Sequence, residues 1–187
     1  MRELSLNILD IAENSFKAKA TEIEIIVKVD VNFLTISVID NGVGMDEEFL
    51  KRVTDPFTTT RTTRKVGMGI PLIKMQAELC EGSFDIQSTK GVGTTLTASF
   101  KTNHIDRPPL GDIAETIVSL IADLKGAELT FRYELEGEEE FVLSTKEVKE
   151  ELGDAIPIDT PDVLIFIKDL IKENIKLSIG GFSLWKA

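Results

Sequence analysis

At 187 residues, 42% hydrophobic and 28% charged, the chain is long enough to bury a sizeable core, as one large domain or two small ones. A formal net charge of −11 argues against a nucleic-acid-binding surface, and the short, charge-interrupted apolar runs argue against a membrane span. A single cysteine, Cys80, rules out a disulfide within the chain, and Met1 leads into an amphipathic segment with no signal-peptide pattern, so the expectation is a cytoplasmic protein.

The first element is a two-faced helix. Leu4, Ile8, Ile11, Ala12 and Ser15 form an apolar stripe, and Asp10, Asn14 and Lys17 line the edge beside it. Ile23, Ile25, Val27 and Val29 then alternate with polar residues, as do Leu34, Ile36 and Val38 after a turn near Asp30 to Asn32, which predicts two antiparallel strands. The second strand runs into the glycine turn "DNGVGMD", followed by a short helix around Glu47 to Val53. "DPFTTTRTTRKVGMG" has no apolar period and reads as a long loop, a kind usually functional. Between Lys51 and Lys74 the basic residues Lys51, Arg52, Arg61, Arg64, Lys65 and Lys74 face only Asp55, so an acidic chain carries a basic island suited to an anion.

Helical period resumes from Ile70 to Leu79, where Cys80 joins Ile70, Ile73 and Ala77 as a packed, inert thiol. Strands follow at Ser83 to Ser88 and Thr94 to Phe100. "KTNHIDRPPLGD", with two prolines and a glycine, marks a boundary: residues 1–102 form one domain, 103–110 a linker and 111–187 a small α+β unit. That unit should hold a helix from Ile113 to Leu124, a strand from Leu129 to Leu135, a turn at "EGEEE" and a return through Phe141 and Leu143. A capping box at Ser144 and Glu147 and a helix start at Thr160-Pro161 complete it. Phe131, Tyr133 and Trp185 either form a docking surface for a partner or fill the unit's small core.

The order and spacing of "LDIAENSFKAKAT", "DNGVGM", "DPF", "VGMGIPLIK" and "GVGTTL" resembles the GHKL ATPase superfamily of gyrase, heat-shock chaperone, histidine kinase and MutL, over roughly residues 4 to 100. The resemblance implies an α+β fold, a two-layer sandwich in which a mixed sheet is covered by helices on one face. It also implies ATP and Mg²⁺ as cofactors. Asn14 matches the family's Mg²⁺ ligand, and Lys17 matches a phosphate partner in the histidine kinases. Asp10 stands where gyrase and MutL carry the glutamate that activates water, here one methylene shorter. Glu13 adjoins Asn14 but lies about 100° round the helix. Asp40 matches the aspartate that accepts from the adenine amino group, with Gly42 and Gly44 allowing close backbone approach and Met45 as a pocket wall. Phe57 belongs to the F box, Gly67 and Gly69 open a helix whose free amides suit phosphates, and Thr94 matches the threonine supporting Asp40 and the adenine. The loop from Asp55 to Gly67 resembles the ATP lid, with Arg61, Arg64 and Lys65 as phosphate contacts. Its shortness is nearer to histidine kinases and anti-sigma-factor kinases than to gyrase.

Three functions fit this resemblance. The first is a stand-alone ATP-dependent kinase or regulator acting on an unidentified protein partner or phosphoacceptor. The second is a non-catalytic switch in which ATP only changes a protein interface. The third is a rearranged autokinase using His104, because no acceptor hairpin precedes the N box and "HIDRPPL" echoes the H-x-x-R-x-P-L acceptor box. In that echo Ile105 replaces the usual acidic neighbour, and the prolines oppose a continuous helix. No nucleic acid or membrane is expected as a partner, and a homodimer is compatible with the resemblance.

Overall fold

The apolar stripe of the first segment becomes helix α1 (Leu4–Lys17), which buries Leu4, Ile8, Ile11 and Ala12. A computed structural model describes residues 3–54 and 69–175, with the backbone of 178–179 and 182–183. Period-two alternation gives β1 (Glu22–Val29), β2 (Phe33–Asp40), β3 (Phe84–Thr89) and β4 (Gly93–Lys101). Between them lie α2 (Glu47–Val53), capped by the Asp46 carboxylate accepting from Phe49 N at 2.8 Å, and α3 (Gly69–Leu79). Beyond residue 104 come α4 (Ile113–Ala122), β5 (Glu128–Leu135), β6 (Phe141–Ser144), α5 (Thr145–Leu152) and α6 (Pro161–Asn174). A two-residue ladder of β7 (Ser178–Ile179) with β8 (Phe182–Ser183) follows. Ser144 caps α5 by accepting from Glu147 N, and Pro161 opens α6, both as the sequence predicts.

Strands β1 to β6 form one mixed sheet in the order β3-β4-β2-β1-β5-β6, antiparallel throughout except that β1 and β5 run parallel. One face carries Ile23, Ile25, Val27, Leu34, Ile36, Val38, Leu96, Ala98 and Phe100, all buried under the helices. α1 packs between α3 and α4, and α6 packs on α4. The other face carries Thr35, Ser37, Thr97 and Ser99 with the Glu24–Arg132–Glu140 ion cluster, a polar surface of the kind antiparallel sheets turn to water.

The core does not divide at residues 103–110. β5 pairs with β1 along its whole length, from Glu22 against Glu128 to Val29 against Leu135, so the expected C-terminal unit extends the same sheet. The expected linker is itself packed. Pro109 O and Leu110 O accept from Leu4 N and Ser5 N at 2.9 and 2.8 Å, and the buried Arg107 guanidinium donates to Thr102 O and Pro108 O. Of the two roles open to the aromatics, docking or core filling, Phe131 and Tyr133 take core filling, buried in the shared core. Their rows oppose Ile25 and Val27 of β1, which is where their apolar area goes. Trp185 lies outside the described residues. Cys80 is buried, and burial raises its thiol pKa, consistent with an inert group.

Candidate functional site

The register brings the polar residues together. Across the buried face the rungs read Ile25–Val38–Leu96–Ile86, and the next rung toward the sheet end reads Ile23–Asp40–Thr94–Ser88. Three strands thus break their apolar alternation at one level, and a polar row forms under the C-terminal half of α1. Burying polar groups against an apolar core costs free energy unless each finds partners. Here they do. Ser15 of α1, only 2% exposed, donates from Oγ to Asp40 Oδ2 at 2.7 Å, and Gly42 N donates to Asp40 Oδ1 at 2.9 Å. Each carboxylate oxygen keeps lone-pair capacity for a further donor.

The glycine turn after Asp40 is held from several sides. Asn41 Oδ1 accepts from Thr21 N and Glu22 N at 2.8 and 2.9 Å, fixing the turn to the start of β1. Val43 N donates to Ala18 O at the end of α1, and Gly91 N donates to Val43 O from the β3–β4 turn. Gly44 sits at φ +62°, and a Cβ there would lie 2.0 Å from Thr89 O; at Gly93, φ +140°, a Cβ would lie 2.0 Å from Asp40 O. Only glycine permits either approach. Met45 N donates to Ser88 Oγ at 2.9 Å, which puts half-buried Met45 beside the polar row.

α3 closes the other side. Its first residue, Gly69, lies so near α1 that a Cβ would come 2.9 Å from Asp10 Cβ. The N-terminal end of α3, where backbone amides lack helical partners, therefore stands over Asp10, with Asn14 one α1 turn further along. Lys17 is exposed and pairs with Glu13 at 3.2 Å, an exposed i,i+4 contact weak enough to exchange for another anion. Of the residues expected at the site, Asp10, Asn14, Lys17, Asp40, Gly42, Gly44, Met45, Gly69 and Thr94 lie around this end of the sheet. Phe57, Arg61, Arg64, Lys65 and Gly67 lie outside the described residues.

Three contributors escaped the sequence reading. By pattern alone Ser15 falls in the apolar stripe, Asn41 in the glycine turn and Ser88 at a strand position. Of the three, Ser88 carries a sequence signal: it falls where the alternation Phe84, Ile86 calls for a third apolar residue, as Asp40 does after Val38.

His104 lies elsewhere. It follows the far end of β4 from Thr94, about 23 Å along the strand at 3.3 Å per residue, and its Nδ1 accepts from Asp106 N at 3.2 Å. The neighbouring Arg107 braces the connector from a buried position, so the acceptor-box echo is part of a packed turn.

Among the described residues no cluster of His, Cys, Asp or Glu could cage a metal by itself, and no helix is long and apolar enough to cross a membrane. Comparison with known proteins gives one consistent picture. Residues 1–104 match the family described as histidine kinase-, DNA gyrase B- and HSP90-like ATPase. A putative sensor protein of Shewanella frigidimarina is 35% identical over 103 residues, 53% of this chain and 16% of that protein. The sensor histidine kinase YvrG of Bacillus subtilis is 32% identical over 87 residues, 44% of this chain and 15% of its own length. The match thus spans under a fifth of these relatives. Among solved structures, the N-terminal domain of a DNA repair protein superposes with a TM-score of 0.52 at 16% identity, covering 78% of this chain and 53% of that one. At that identity the likeness is one of fold.

Proposed function

The chain belongs to the histidine kinase-, DNA gyrase B- and HSP90-like ATPase family, and on that premise we propose that it binds ATP with Mg²⁺ at the sheet end and acts as a kinase or ATP-dependent regulator of a partner protein. The observation that carries this reading is the Asp40–Thr94–Ser88 row tied to α1 through Ser15. Asp40 offers acceptor capacity to a base amino group. Gly42, Gly44 and Met45 supply a wall that comes close to a flat ligand, and Gly69 opens α3 toward phosphates.

A metal fits this site as a guest of the nucleotide. Mg²⁺ keeps waters and is usually held by one or two protein oxygens plus phosphates. Asn14, on the polar edge one turn past Asp10, would be the protein ligand. When bound, the metal would supply charge neutralisation on the phosphates. Asp10, half-buried beneath Gly69, is the group that would accept the proton of an attacking water or hydroxyl. Lys17, released from Glu13, would meet a phosphate.

The non-catalytic switch is the second reading, favoured by the short reach of Asp10 compared with a glutamate. Phosphate release at saturating ATP separates the two. The kinase or ATPase reading expects measurable release that Asp10→Asn lowers about a hundredfold or more while ATP affinity is kept. Release at the same rate in both proteins would remove Asp10 from its role, and none in the wild type would favour the switch.

A further inference from the structure

Ser88 Oγ has three polar neighbours at one distance: Met45 N, Gly93 O and Thr94 Oγ1, each 2.9 Å away. A serine hydroxyl has one proton to give and two lone pairs to fill. Met45 N can only donate, so it occupies one lone pair. Gly93 O can only accept, so it takes the Ser88 proton. The remaining lone pair of Ser88 is then met by the hydroxyl proton of Thr94. This assignment satisfies every group, and the alternative, Ser88 donating to Thr94, leaves the Gly93 carbonyl facing a lone pair.

From this geometry we infer that Ser88 is a specificity-determining residue for the nucleobase, acting by holding Thr94 as a hydrogen-bond acceptor. The inference rests on the reading of the Asp40 row as a nucleotide site. Thr94 stands directly opposite Asp40 in the β2–β4 ladder, on the same face. With its proton committed to Ser88, the Thr94 oxygen can only accept from a ligand, and the Asp40 carboxylate can only accept as well. The row therefore presents acceptors alone. An exocyclic amine, as on adenine, supplies donors to such a row, whereas a carbonyl oxygen at the same ring position brings acceptor against acceptor. Rejection of this kind comes from unpaired polar groups and is stronger than shape alone provides. Without Ser88 the Thr94 proton is free to turn toward a carbonyl, and the row loses its single polarity.

The test compares ATP with inosine triphosphate, which replaces the amine by a carbonyl, in calorimetric titrations of the full chain with Mg²⁺. Ser88→Ala is expected to lower the ATP-to-inosine-triphosphate affinity ratio about fivefold or more, and Ser88→Thr, which keeps a hydroxyl, to restore it. Thr94→Val, which removes the acceptor and leaves Ser88 in place, should lower the ratio too. A ratio unchanged in both Ser88→Ala and Thr94→Val, even if the two affinities fall together, would overturn the inference and leave Ser88 a brace for the turns. A wild-type chain that binds neither triphosphate would overturn the nucleotide-site reading itself, and this inference with it.

Discussion

Ser15 shows how one hydroxyl joins two layers of the molecule. Its bond to Asp40 fixes the carboxylate to the helix that carries Asp10 and Asn14. Ser15→Ala removes a charge-assisted hydrogen bond, of a kind worth about 1.5–3 kcal/mol, and leaves Asp40 free to turn from its ligand. ATP affinity should fall about tenfold or more, measured by calorimetry; an unchanged affinity would separate α1 from the pocket. At the far end of the core, burial pushes the Tyr133 phenol from 10.0 up to about 12. The unfolded phenol ionises near 10.0, so the stability linked to this group is full below that pH and is lost as pH rises toward 12. As Tyr133 is the chain's sole tyrosine, phenolate absorbance reports it alone and should appear near pH 12 or together with unfolding. Ionisation near pH 10 in a folded chain would contradict its burial.

At the scale of elements, the two glycine turns at the sheet end are locked by backbone contact. Gly44→Ala forces a Cβ against Thr89 O from a left-handed backbone, and should cost about 2–4 kcal/mol. Gly91→Ala is the control, since its Cβ would meet nothing within 4 Å and only the positive φ is strained, for about 1 kcal/mol. Thermal melts of the two variants should differ by several degrees, and equal melts would show the turns to be loosely packed. The β5–α5 joint answers to acid. Burial raises the Glu128 carboxyl, but hydrogen bonds from Thr145 at 2.6 Å and Lys149 at 2.9 Å outweigh it and hold the pKa below 4.5. Its contribution is therefore full above 4.5 and drains as pH falls through the lower folded value. Glu128→Gln should flatten the acid limb of a stability profile, and an unaltered limb would remove Glu128 from that role. These elements were mostly readable beforehand, because amphipathic period and capping act within a few residues. The partners of Ser15 and Ser88 are not readable, because they follow from strand register and helix docking, which join residues far apart in sequence; the broken alternation at Ser88 marks the position but not what it touches.

For the whole molecule, the parallel pairing of β5 with β1 was invisible to sequence patterns. A proline-rich connector reads locally as a boundary, and only tertiary contact shows Leu110 and Arg107 packed inside. Severing the chain after Asn103 would strip β5 from β1 and α4 from α1, uncovering Ile8, Ile23 and Val27, so residues 1–103 alone should lose cooperative melting and bind a hydrophobic dye. A sharp, reversible melt of that fragment would show an independent N-terminal core. The central claim about the molecule is that the polar row is where a nucleotide is read. Calorimetric titration of ATP with Mg²⁺ into the wild type and Asp40→Asn, with both proteins shown to melt alike, tests it most directly. Saturable binding is expected in the wild type, and Asp40→Asn should weaken it about a hundredfold, since an amide loses the charged acceptor and adds a donor. Equal affinities in the two proteins would contradict it.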